Sequence, residues 1–208
     1  MSLPFWIFLG GFAVFFISST YQIYQIFSNP NFTDPSQPKR RNSAGITYSF
    51  TGAMSPFKKE SAFLHYPTYV AGILFHLGTF LSFLLVLGYF LNLIIPQTGP
   101  TLISYFLIIT ALCGAGILVK RIANLKIKSG STPDDYFSNV VVTLFQILSA
   151  AALSRPNIIP YWIGYTGMLF LYIPISKLRH SIYFFFARAY LGIFYGKRGV
   201  WPPRKQPA

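Results

Sequence analysis

Acidic residues are almost missing from this chain: 4 Asp plus Glu stand against 17 Lys plus Arg in 208 residues. Charge of either sign is scarce as well, at 10% of residues with 53% hydrophobic, where a soluble globular domain carries about 25% charged residues. These shortages exclude a soluble domain, a disordered chain and a solvated nucleic-acid binder. Cysteine is represented once, by Cys113, which excludes a disulfide framework, an iron–sulfur cluster and a structural zinc site within the chain, since each needs several ligands. Metal chemistry therefore rests on three histidines, His65, His76 and His180.

Long apolar runs are what the chain has in place of charge. A helix needs roughly 20 predominantly apolar residues to cross a hydrocarbon core about 30 Å thick. Five stretches qualify, at about 3–27, 66–95, 101–119, 136–154 and 160–180. The sequence thus predicts an all-α integral membrane protein of a single domain, with a 28–65 loop and a 187–208 tail. The fourth span is the weakest, because Asn139 and Gln146 interrupt it. Its start is marked by Ser131-Thr132-Pro133-Asp134-Asp135, a hydroxyl cap, a first-turn proline and two acids. The first stretch lacks a basic leading segment and a small-residue cleavage site, so it is expected to remain as a span.

The basic residues follow the connections. Sixteen of the 17 Lys and Arg residues fall on alternate sides of these spans with only Arg155 opposite, which by the positive-inside rule puts the N-terminus outside and the C-terminus in the cytoplasm. Lys39-Arg40-Arg41, Lys58-Lys59 and the tail after Gly196 then share a cytoplasmic face. This asymmetry accounts for the formal net charge of +13 without nucleic acid, and the expected home is the cell inner membrane or plasma membrane.

His76 is the most informative polar residue. It lies about ten residues into the second span with no charge near it in sequence, and polar groups inside a membrane are paired or functional. Neutral imidazole is a good axial ligand for haem iron. Gly72 lies one turn before His76 and Ser176 one turn before His180, small side chains that leave room for a porphyrin face. Lys177 and Arg179 are suited to haem propionates. The alternatives at this point are a histidine that only bonds a neighbouring helix and, for His180, one more interfacial base. His65 and Tyr66, at the start of the second span, combine a hydrogen-bond acceptor and donor that suit a quinone head group; an interfacial or capping role and iron ligation are the competing roles of His65.

The five-span pattern, Leu74-Phe75-His76-Leu77-Gly78 in the second span and Ile175-Ser176-Lys177-Leu178-Arg179-His180 closing the fifth together resemble the membrane cytochrome b subunit of respiratory nitrate reductases, the gamma subunit, and its relatives in heterodisulfide reductase. The likeness covers most of residues 66–186. It implies a haem b electron-transfer subunit of a quinone-linked oxidoreductase complex, with His76 and His180 as axial ligands of the haem nearer the cytoplasmic partners. The family's second haem would need histidines where this chain has Val86 and Trp162, so one haem is expected here. The resemblance further implies a quinone, menaquinone or ubiquinone, and a cytoplasmic iron–sulfur partner, with no complete catalytic site in this chain. The rival readings are a haem-free membrane anchor and, less favoured for want of acids in the spans and of internal repeats, a small transporter.

Overall fold

The computed structural model describes residues 2–28, 42–55, 65–94, 96 and 98–203. Lys39-Arg40-Arg41, Lys58-Lys59, Arg204 and Lys205 lie outside the described residues. Eight α-helices are described: α1 (Leu3–Ser28), α2 (Asn42–Phe50), α3 (Tyr66–Phe90), α4 (Gly99–Ala123), α5 (Leu125–Ser129), α6 (Pro133–Ser154), α7 (Ile159–Tyr172) and α8 (His180–Lys197). Among the described residues there are no strands. Five segments are long and apolar enough to cross a membrane: α1, α3, α4, α6 and Pro156–Ile175, the last consisting of α7 with its flanking 3-10 turns. The chain is a multi-pass, all-helical membrane protein.

Helix ends follow local chemistry. The second span stops at Phe90, short of the expected residue 95, because Asn92 takes a left-handed conformation (φ 52°) and the Leu93 N–H turns back to the Gly88 carbonyl at 2.9 Å; asparagine tolerates that region better than most residues. At α6 the expected cap is present. Asp135 accepts a hydrogen bond from the Thr132 backbone N–H at 2.8 Å, with Pro133 in the first turn. The fifth span ends earlier than expected. Pro174, which cannot donate a backbone hydrogen bond, sits in the 3-10 turn Ile173–Ile175, and Ser176 is then extended at φ −103°, ψ 178°. His180 consequently opens the separate helix α8 instead of closing the fifth span.

The chain divides into two compact units, Met1–Ser18 with Pro67–Leu178, and Ser19–Tyr66 with Arg179–Ala208. The first unit has one apolar core, in which Phe8, Val86, Phe145, Trp162, Leu169 and Phe170 pack together. Its aromatic contacts are close, with Phe8 and Phe90 rings 4.5 Å apart and Phe83 and Phe145 rings 4.9 Å apart.

In the second unit, α2 packs along α8. Residues 28–65, expected to be a loop without periodic structure, thus contain a helix. Glycine is the reason: a Cβ on Gly45 would overlap the Gly192 carbonyl oxygen and come within 2.6 Å of Gly196 Cα, so the two backbones touch in the way small-residue pairs allow. The α8 helix runs on to Lys197, into the segment expected as the 187–208 tail.

Candidate functional site

His76 sits on an exposed face of α3, beside exposed Ile73 and Leu77. Its Nδ1 lies 2.7 Å from the Gly72 carbonyl oxygen one turn earlier. A carbonyl only accepts, so Nδ1 carries the proton, and in the neutral imidazole the lone pair is then on Nε2. A backbone carbonyl on one ring nitrogen is a common way of fixing the tautomer of a ligating histidine. Gly72 contributes space too, because among the described residues nothing beyond its chain neighbours and its own helix backbone lies within 4 Å of the position its Cβ would take.

The opposite face of α3 is locked, and the fully buried Gln146 of α6 does the locking. Its Nε2 donates to the Phe75 carbonyl at 2.8 Å and to Thr79 Oγ1 at 2.9 Å, while its Oε1 accepts from Thr110 Oγ1 of α4 at 2.8 Å. A polar group in an apolar bundle must find such partners. Gly78 makes the approach feasible, since a Cβ there would overlap the Thr110 side chain. With Phe75, Gly78, Thr79 and Ser82 turned inward, 100° of rotation per residue turns His76 outward. The amide read in the sequence as a weakness of the fourth span therefore sets the rotation of α3.

The other expected site residues divide. His180 is exposed at the first position of α8, in the second unit, whereas His76 belongs to the first. Ser176 does not precede it on the same helix; it is buried, and its Oγ accepts the Leu178 N–H at 3.1 Å. Lys177, expected at a propionate, is engaged elsewhere: its Nζ lies 2.6 Å from Asp135 Oδ2 and its backbone N–H donates to Asp134 Oδ2 at 2.6 Å. Asp134 also accepts from the Tyr172 hydroxyl, and Arg121 approaches Asp135 at 3.6 Å. The two acids are thus a cap and a tie between α6 and the Lys177 turn at once. Arg179 is exposed and forms no ion pair among the described residues. His65, in the turn before α3, and Tyr66 are both exposed.

Val86 and Trp162, where the second pair of ligands would stand, are core residues of the same packed cluster, and the Trp162 indole donates to Ser149 Oγ at 2.9 Å. Among the described residues no three His, Cys, Asp or Glu side chains gather to hold a metal ion. A haem asks its protein for axial ligands only, so imidazoles held singly suffice.

Arg188 was read in the sequence only as a topology charge. Its Nη2 donates to the Ser49 carbonyl and Ser49 Oγ returns a bond to the Arg188 carbonyl at 2.7 Å, tying α8 to α2. Its Nε–H is buried with no acceptor among the described residues, a costly state for a charged donor. No signal in the sequence separated Arg188 from the neighbouring basic residues, because its distinction is burial.

No family model, no curated protein and no solved structure matches the chain.

Proposed function

We propose that the chain is the haem b membrane subunit of a quinone-linked oxidoreductase complex, with its N-terminus outside and its C-terminus cytoplasmic, passing electrons between menaquinone or ubiquinone and a cytoplasmic iron–sulfur partner. The observation that carries this reading is His76: an imidazole on an exposed face of an apolar span, its Nδ1–H held by the Gly72 carbonyl, with bare helix surface beside it at Gly72. Its role as an axial ligand, and that of His180, come from the resemblance to the nitrate reductase gamma family. Arg188 fits a carboxylate such as a propionate because a buried Nε–H lacks an acceptor. Arg179 fits the same role from an exposed position, whereas Lys177 is already paired with Asp135. When bound, the haem supplies a one-electron redox centre; the residues named here hold and orient it. Burial of Val86 and Trp162 favours one haem over two. His65 and Tyr66 are proposed to serve the quinone head group, the imidazole and the phenol offering a hydrogen-bond acceptor and donor.

A reduced-minus-oxidised visible spectrum of the purified chain tests the reading. One low-spin b-type band per chain is expected, removed by His76→Ala or His180→Ala and retained in His65→Ala. A chain without such a band, still copurifying with a soluble partner, is the haem-free anchor. Slowed quinone-linked turnover with an intact band is expected of His65→Gln.

A further inference from the structure

We infer that the groove at the start of α6 is a binding site for one anionic glycerophospholipid, with the phosphate at Lys128 and an acyl chain along Phe137 and Val140. The groove measures about 940 Å³ and is built wholly from the first unit. Its lining changes character along the chain. Lys128 and Ser131 precede the start of α6, Phe137 and Val140 follow one and two turns into it, and Tyr136 and Tyr172 complete the lining with Pro133 and Asp134. Phe137 and Val140 are exposed on a helix apolar enough to span a membrane, so the groove opens where lipid tails would lie.

Charge identifies the headgroup. Lys120, Arg121, Lys126 and Lys128 gather in this part of the sequence, and the fold brings Lys177 to the two acids there, Asp134 and Asp135. Both acids are spoken for: Asp135 by Lys177, Arg121 and the Thr132 N–H, and Asp134, which also lines the groove, by the Tyr172 hydroxyl, the Lys177 N–H and Ser138 Oγ at 3.4 Å. Ser131 is internally bonded as well, donating to the Ile127 carbonyl at 2.7 Å and accepting from Arg121 Nη1 at 2.9 Å. The ammonium groups of Lys126 and Lys128, by contrast, have no hydrogen bond or ion pair among the described residues. Both are on the short helix α5, whose Leu125 is 79% exposed, the composition of a segment lying at a membrane surface. Unpaired cations at the interface beside an apolar groove are complementary to a phosphodiester with a hydrocarbon tail. A quinone fits less well, because its carbonyl oxygens need hydrogen-bond donors and the hydroxyl protons of Ser131 and Tyr172 are already given to the Ile127 carbonyl and to Asp134.

The proposal stands independently of the haem. The full chain is reconstituted in nanodiscs of equal phosphatidylglycerol and phosphatidylcholine, extracted in mild detergent, and its retained lipid counted by native mass spectrometry. The wild type is expected to retain one phosphatidylglycerol in preference to phosphatidylcholine. Lys128→Gln should lower that preference about fivefold, the weight one basic residue carries beside an anionic surface, and Lys128→Arg should keep it. Val140→Trp, which fills the groove without altering charge, should abolish retention. Circular dichroism confirms that each variant is folded. Equal retention of both lipids, an unchanged Lys128→Gln, or displacement of the lipid by added quinone overturns the assignment.

Discussion

Both units press bare backbone on bare backbone, Gly11 on Gly167 in the first and Gly45 on Gly192 in the second, but the first adds a buried amide that ties three helices together through side chains. In the first, Gln146 reaches from α6 to α3 and α4 through its amide; in the second, Gly45 lies directly on Gly192 and Gly196. A side-chain contact can rotate, shorten or find another partner. A backbone contact has nothing to move, so the glycine pair is the more fragile device although it contains no polar group. Gly45→Val should accordingly show the largest effect among the packing variants. We expect a loss of about 3 kcal/mol, the upper range for forced overpacking, read as early protease cleavage of the α2 and α8 segments while the helices of the first unit stay protected. Protection of α2 in that variant would mean that Ser49 and Arg188 hold the pair unaided.

Gly78→Ala tests the same distinction inside the first unit. The new Cβ would meet Thr110 Oγ1 and Cβ and approach Gln146 Oε1 at 2.9 Å, side-chain atoms throughout. The cost should be about 1–3 kcal/mol in thermal unfolding in detergent. Thr110→Gly in the same chain should restore part of it, a rescue that Gly45→Val lacks because its obstacle is main chain. Gln146→Leu should cost less, about 1 kcal/mol, close to what interhelical hydrogen bonds in membranes are worth. Each partner it abandons keeps another bond: Thr79 Oγ1 donates to the Phe75 carbonyl at 2.8 Å, and Thr110 Oγ1 reaches the Leu107 carbonyl at 3.0 Å. If Gln146→Leu also weakens the b-type band, the rotation of α3 that turns His76 outward depends on the amide.

The same contrast explains what was legible in the sequence. Spans are written in hydropathy and charge scarcity, so all five could be read; the Asn92 turn and the Pro174 break shortened two of them, and α4 runs past its expected end at 119 to Ala123. The cap at Thr132-Pro133-Asp134-Asp135 could be read because its chemistry is local. The α2–α8 pair was not read, since Gly45 and Gly192 are far apart in sequence and the Gly192-x-x-x-Gly196 spacing, the local signal for a close backbone approach, does not say which helix it meets. At the candidate site, His76 stood out by isolation in an apolar run. The commitments of Lys177 and Arg188 did not, because whether a cation is paired or stranded depends on which acids and carbonyls the fold brings to it.

Lys177 and Arg188 give the smallest and most discriminating test. Both are basic and both were counted in the same C-terminal charge cluster, yet Lys177 is half-exposed on Asp135, and Arg188 has a buried Nε–H without an acceptor. An exposed ion pair contributes about 0–1 kcal/mol, and Asp135 would retain Arg121 at 3.6 Å and the Thr132 N–H. Lys177→Met should therefore lower stability by less than about 1 kcal/mol, with the difference shrinking in high salt as surface charges are screened. It should leave the haem spectrum and the redox midpoint unchanged, since a lysine paired to Asp135 has no charge to spare for a propionate. Arg188→Met should shift the midpoint, because it removes a buried cation from the carboxylate it is proposed to meet. A midpoint that moves with Lys177 and ignores Arg188 would return the propionate to Lys177 and leave Arg188 as a tie between α2 and α8 alone.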